Sequence, residues 1–372
     1  MDDDVPYLLL TPGPLTTSKS VKQVMMQDYC TWDADYNSIV NDIRKRLTVL
    51  ASEDEEAFTT VLMQGSGTFV VEATIGTVVP KDGCVAVVNN GAYGARIATI
   101  CRRLGIECVE LTQAEDQPAD LERIESLLRE NSQVSHLAVV HCETTTGLLN
   151  PITEIGQLVR RWDRTLIVDA MSSFGGIPMT MESISADYLI SSANKCIQGV
   201  PGFGFVIAKT SQLQSCAGRA RSLSLDLYDQ WREMESHGGK WRFTSPTHVV
   251  RAFTQALDEL EREGGIAQRY QRYAQNQRLL VEGLSQYGFL ALVAAEHQSP
   301  IITAFRYPDA DGFSFGKLYE SLKQRRFVIY PGKVSQAATF RIGTIGHVFP
   351  DDIRELVQAF GDVVTQAGWN KA

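Results

Sequence analysis

The chain predicts an α/β fold built on a mostly parallel sheet with helices on both faces, followed by a smaller α+β unit. Three observations carry the prediction. Between about residues 58 and 210, short apolar, β-branched runs alternate with helical stretches. After Pro246 the pattern changes to long polar–apolar helical periodicity through about residue 287. Four more strand candidates and one helical pattern come next. At 372 residues the chain has room for about two domains of roughly 150 residues each.

Taken in order, the first 20 residues have loop chemistry, because Leu8-Leu9-Leu10 is broken at once by Thr11-Pro12-Gly13-Pro14. Strand candidates follow at 85–89 (VAVVN), 108–111 (CVEL), 136–140 (HLAVV), 165–170 (TLIVDA), 188–191 (YLIS) and 203–208 (FGFVIA). Helical patterns at 93–104 and 119–130 separate several of them. The long helical region is interrupted at Glu263-Gly264-Gly265, which sets the predicted boundary: a large domain of residues 20–263, and a small one of 264–372 joined by residues 1–19. In the small unit, strands are expected at 289–294, 301–306, 327–331 and 339–345, and a helix at 351–366.

Composition narrows the function. With 44% hydrophobic and 21% charged residues, 29 Gly and 13 Pro, collagen-like and largely disordered chains are excluded. A formal charge of −9 lacks the basic footprint of a general nucleic-acid or anionic-membrane binder. Seven scattered cysteines, odd in number and without a CxxC pair, point to reduced thiols and a cytoplasmic protein. Met1-Asp2-Asp3-Asp4 has the wrong charge for a secretion signal, and no apolar run approaches the roughly 18 residues that span a bilayer.

Ligands of a parallel sheet bind at the carboxyl ends of its strands, so residues there are the first candidates. Lys195 is the only charged residue between Asp187 and Lys209. Partial desolvation at a strand end favours the neutral amine, which attacks carbonyl carbon and makes Schiff bases; the alternative is a lysine reaching out to solvent. Asp169 ends a buried strand, placed either to hold a protonated ring nitrogen or to cap a turn. Ser66, Gly67 and Thr68 open a helix, as a phosphate cradle or as an ordinary capped start. Tyr93 suits stacking on a planar cofactor or filling a helix–sheet interface. Arg341, on an otherwise apolar strand, calls for an anion, either a substrate or an acidic neighbour.

Other chemistries fit less well. Ala208 precedes Lys209-Thr210 where a Walker motif needs Gly, and no GxGxxG follows a strand. His141 and Cys142 are adjacent on a strand and point to opposite faces, so they form no dyad. No His, Cys or carboxylate cluster has zinc spacing, and no metal is expected.

Together GSGT, GAYGAR, ETTTG, VDAMSS, SANK and FRIG occur in the order of the fold-type I, class V aminotransferases, and the chain resembles that family over essentially its whole length. The resemblance implies a fold-type I PLP-dependent transferase using pyridoxal 5′-phosphate. Lys195 would join the cofactor covalently and then move a proton between substrate and cofactor. Asp169 would pair with the ring nitrogen, and Ser66, Gly67 and Thr68 would hold the phosphate. Tyr93 would stack on the ring, Thr145 would lie near its phenolic oxygen, and Arg341 would bind substrate. Thr244 would reach the phosphate of a neighbouring subunit, making a homodimer with shared sites the working unit.

Within the family, LLLTPGPLTTSKSVK, the run Asp28 to Asn37 and SSANKCIQGVPGFGF are most similar to the branch that takes 2-aminoethylphosphonate and pyruvate to phosphonoacetaldehyde and L-alanine. The alternative is an alanine–glyoxylate or serine–pyruvate type of aminotransferase. A lyase acting at sulfur or selenium is disfavoured by Asn194, since those relatives place histidine just before the lysine. Phosphonate contacts are expected from the Thr11–Thr17 loop or the CTWDADYN segment.

Overall fold

The computed structural model describes residues 6–334 and 337–369. Its strands are β1 (Leu8–Leu9), β2 (Phe58–Gln64), β3 (Cys84–Asn89), β4 (Glu107–Thr112), β5 (Val134–Val140), β6 (Cys142–Glu143), β7 (Leu148–Leu149), β8 (Thr165–Asp169), β9 (Tyr188–Ser192), β10 (Phe203–Lys209), β11 (Ile302–Arg306), β12 (Phe327–Val328), β13 (Tyr330–Pro331) and β14 (Thr339–Gly343). Its α-helices are α1 (Lys19–Gln23), α2 (Ala34–Ala51), α3 (Gly67–Val78), α4 (Ala92–Arg103), α5 (Leu121–Glu130), α6 (Ile152–Arg161), α7 (Thr210–Gln214), α8 (Leu227–Ser236), α9 (Thr247–Glu263), α10 (Gly265–Ser285), α11 (Phe315–Gln324) and α12 (Pro350–Ala367).

Seven strands form the main sheet in the order β2-β10-β9-β8-β5-β3-β4. All neighbours are parallel except β10, which runs against both β2 and β9. The inner strands read as unbroken apolar runs because both faces are covered: every residue of β9, and all of β8 after Thr165, is buried. The covering helices follow the expected period. In α5, Asp120 caps the N-terminus by accepting from Glu122 and Arg123 N–H, and Ile124, Leu127 and Leu128 turn inward.

A second core gathers Leu8, Leu10, Leu280, Leu284, Phe289, Phe340 and Phe360 around the three-stranded sheet β11-β14-β13 and helices α10 to α12. Between α9 and α10 the chain turns at Gly264 (φ 103°). There Glu263 binds Arg269 and Arg272, and the same arginines donate to Cys196 O on one side and to Gly346 O and Val348 O on the other. One ion-pair cluster thus ties the two cores together beside Lys195.

The structure departs from the sequence pattern in three places. Residues 8–17 are packed rather than loose: β1 pairs in parallel with β12, and Leu8, Leu10 and Leu15 are buried. A two-residue strand bounded by Pro and Gly carries no periodicity, so the pattern gives no sign of it. The expected strand at 289–294 makes a single bridge, Ala291 to Phe305, before a 3-10 turn at Ala295–His297. The run 327–331 splits in two, its halves pairing with β1 and β14 respectively. Among the described residues no helix is long and apolar enough to cross a membrane.

Candidate active site

Because β10 is antiparallel to β2, residues Gln64 and Phe203 lie side by side, and the chain leaves β2, β3, β5, β8 and β9 at one end of the sheet. The pocket there is lined by Ser66, Gly67, Thr68, Tyr93, Asp169 and Lys195, all expected from the sequence, and by Arg96, Cys142, Thr144, Met171, Ser172, Ser192 and Asn194.

At one end, Ser66 is the N-cap of α3, but its side chain caps nothing. The N–H groups of Gly67 and Thr68 have no partner among the described residues, and the first turn holds no acid. Arg96 Nη1 donates to Thr68 Oγ1 at 3.1 Å, and its guanidinium lies 4.7 Å from the Tyr93 ring centroid. An open helix start with a guanidinium beside it is a site for a small anion.

In the middle, Asp169 closes β8. Burial pushes its carboxyl up to about 6, against the pull of the Met171 N–H that it accepts at 3.0 Å and of the Arg96 and Lys195 charges. A carboxylate held this way gains from a cationic N–H donor brought into the pocket. Lys195 follows β9 by three residues, and its Nζ donates to Pro12 O at 2.6 Å. Burial pulls the ammonium down to about 8, although the Asp169 carboxylate opposes the shift. The strap that carries Pro12 O comes this close only because residue 13 is glycine: its φ is 120°, and a Cβ there would sit 2.6 Å from Lys195 Nζ.

Arg341 is buried on β14. Nε donates to Pro331 O and Nη1 to Thr144 O, each at 2.9 Å. No carboxylate lies within ion-pair distance of it among the described residues, so the acidic-neighbour alternative is not what the strand provides. Burial lowers its pKa, against the opposing pull of Tyr93, Tyr330 and Glu143.

Three of the expected site residues are not among those lining this pocket: Arg341, which lies behind Thr144; Thr145; and Thr244, expected at a neighbouring subunit's site. Thr145 is fully buried and its hydroxyl donates to Glu143 Oε1 at 2.9 Å; the threonine of this run that lines the pocket is Thr144. Thr244 is exposed and does not line this chain's pocket. The CTWDADYN segment is also away from it: Trp32 is 79% exposed, and Tyr36 bonds Ser245 Oγ at 2.5 Å. The Thr11–Thr17 loop, by contrast, touches Lys195. His141 bonds Ser173, not Cys142.

Three features have no assignment in the sequence reading. Arg96 lies three residues after Tyr93 on α4, a spacing that puts both on one face and is available as a signal. Glu143, fully buried, accepts Tyr93 N–H at 3.1 Å as well as the Thr145 hydroxyl, and burial pushes it up to about 7. Residue 91 must be glycine for this, since a Cβ there would collide with Glu143 Cγ. The Pro12 carbonyl carries no side-chain signal at all.

Pyridoxal 5′-phosphate fits these groups: a phosphate for the open α3 start, a ring nitrogen for Asp169, an aldehyde for the partly neutral amine of Lys195. Comparisons with known proteins agree. The family described as "Aminotransferase class-V" matches residues 12–327. The chain is 60% identical over 363 residues to a 2-aminoethylphosphonate–pyruvate transaminase of Syntrophobacter fumaroxidans, covering 98% of each chain. It is 57% identical over 358 residues to one of Bacillus cytotoxicus, covering 96% of this chain and 98% of that one. Among solved structures, the pyridoxamine-pyruvate aminotransferase of Mesorhizobium loti superposes with a TM-score of 0.89 at 22% identity, over 99% of this chain and 94% of that one, a likeness of fold.

Proposed function

This chain belongs to the class-V aminotransferase family, and from that premise we propose that it transfers the amino group of 2-aminoethylphosphonate to pyruvate, giving phosphonoacetaldehyde and L-alanine. It is a PLP-dependent enzyme of phosphonate breakdown. The observation that carries the substrate reading is Arg341, a buried cation whose hydrogen-bond partners among the described residues are backbone carbonyls, beside pocket-lining Thr144. Both substrates are small anions, and one guanidinium serves each in turn.

Bound in the pocket, pyridoxal 5′-phosphate supplies an aldehyde that takes up amines and a ring that stores the electron pair released from the substrate carbon. Lys195 is the covalent anchor. Once the substrate amine had displaced it from the cofactor, its Nζ, easier to deprotonate than an ordinary lysine, would take the proton from the amine-bearing carbon and deliver it to the cofactor carbon to which it had been joined. Asp169 holds the ring nitrogen protonated. Ser66, Gly67 and Thr68 bind the phosphate with Arg96 behind them, and Tyr93 lies against the ring. Thr145 acts through Glu143, which fixes the backbone of Tyr93.

We assign Thr244 to the site of a second subunit, which makes a homodimer the working form. The exposed apolar side chains of Met26, Trp32, Leu223 and Phe243 support an interface in this region. Separate apolar cores support the division into residues 20–263 and 264–372 with 1–19. Seven free thiols support a reducing, cytoplasmic setting.

The test is spectroscopic. Cofactor-loaded protein mixed with 2-aminoethylphosphonate and no keto acid is expected to lose its visible absorbance, and scarcely to respond to serine or aspartate. Loss with a different amine alone overturns the phosphonate assignment and leaves the family chemistry standing.

A further inference from the structure

A phosphonate carries up to two negative charges and three acceptor oxygens near neutral pH, where a carboxylate carries one charge and two oxygens. Arg341 by itself matches the carboxylate. Its Nε and one Nη1 proton are already committed to Pro331 O and Thr144 O, so part of its fork is spent on holding it in place. Arg96 is engaged at the other end of the pocket, on Thr68. A dianionic donor therefore calls for a second cation near Arg341.

The hairpin that holds Arg341 provides one. β13 pairs with β14 so that Tyr330 sits opposite Arg341, and Lys333 follows two residues past β13. Its Nζ lies 5.6 Å from the centroid of the Tyr93 ring, which lines the pocket. The Arg341 guanidinium lies 5.1 Å from the Tyr330 ring. Lys333 has no carboxylate within ion-pair distance among the described residues, although its neighbour Val334 borders a separate hollow that includes Glu115 and Asp116. The lysine is exposed, and its ammonium lies over the Tyr93 ring.

We propose that Lys333 is the specificity-determining cation for the phosphonate. With Arg341 it makes a two-point clamp that a dianionic amino donor fills and a monocarboxylate leaves half used. This rests on 2-aminoethylphosphonate being the donor. It makes discrimination between the two half-reactions a property of one loop residue, and leaves Arg341 as the contact common to both.

The experiment compares wild type, Lys333→Met and Lys333→Arg as loaded enzymes. Lys333→Met is expected to raise KM for 2-aminoethylphosphonate by about tenfold, the scale of one charge-assisted contact, with kcat and the KM for pyruvate within about twofold of wild type. Lys333→Arg restores most of the loss. Methylphosphonate, as a competitive inhibitor, weakens by about the same factor in Lys333→Met while acetate does not change. Added salt raises the donor KM more in wild type than in Lys333→Met, because the exposed charge is screened. Equal rises for both substrates, or no change in donor KM, overturn the proposal. Failure of wild type to accept 2-aminoethylphosphonate overturns instead the donor assignment on which it stands.

Discussion

At the floor of the pocket, Ser66 to Thr68, Asp169 and Lys195 stand at or just past the ends of strands of one sheet, whereas at its mouth Pro12, Thr144 and the β13–β14 hairpin that carries Lys333 and Arg341 come from three segments outside that sheet. The floor takes its geometry from strand register, and each residue carries its chemistry in a side chain or an open helix start. The mouth takes its geometry from backbone carbonyls that steer cations: Pro12 O on Lys195, and Pro331 O and Thr144 O on Arg341. With the roles proposed above, the difference separates cofactor binding from substrate choice. Substrate choice can change with loops while the cofactor site stays intact.

The largest effect that tests this division is at the floor. Lys195→Ala is expected to lower turnover by about ten-thousand-fold, as loss of both anchor and proton carrier requires, while the protein keeps its fold by circular dichroism. Residual turnover within tenfold of wild type means that another base does the work. At the mouth the expected change is in binding. Arg341→Ala raises KM for both substrates by about thirtyfold, the scale of losing one partner of a buried charge contact. A rise for only one of them ends the idea of a shared anion contact.

A third measurement probes where floor and mouth meet. In cofactor-free protein, the rate at which an acylating reagent modifies Lys195 follows the neutral amine, so it rises with pH through a midpoint near 8 rather than the usual lysine range. Asp169→Asn removes an anion that favours the ammonium and moves the midpoint down; Arg341→Ala removes a cation and moves it up. An ordinary lysine midpoint in wild type contradicts the desolvation seen at this side chain.

The smallest effect concerns Glu143. Its folded pKa, about 7, lies above that of an unfolded glutamate, so between about pH 4 and 7 the folded chain binds more protons. Its contribution to stability therefore falls as pH rises through that window. Glu143→Gln is expected to flatten this part of a melting-temperature profile and to cost about 1–3 kcal/mol at low pH, where one N–H or hydroxyl donor faces an amide instead of an acid. An unchanged profile shows that Glu143 does not titrate there.

How much is legible in the sequence follows the same division. Apolar runs ending in Asp169, or followed by Lys195, carry a period-2 or buried-strand signal, and the helix start at Ser66–Thr68 carries a small-residue signal; each can be placed on the sheet from its own neighbours along the chain. Arg341 is legible as an odd charge on an apolar strand, but its carbonyl partners are not, because Pro331 and Thr144 give them from the backbone. Thr144 and Thr145 show the limit within one run: adjacent hydroxyls are chemically equivalent in sequence, and only the β6–β7 hairpin decides which one is turned toward Glu143. Residues 8–17 have the chemistry of a loop for the same reason, since their order comes from β12 and Gly343, far along the chain.

That strap has a consequence for the order in which the enzyme is made. Leu8 and Leu9 pair with Phe327 and Val328, and Leu10 O accepts Gly343 N–H, so the segment carrying Pro12 to Lys195 has no docking place until nearly all of the described chain has left the ribosome. The main sheet, with Asp169 and Lys195 already on it, can form well before then. The nascent protein thus passes through a stage in which the reactive amine sits on a folded sheet without its strap.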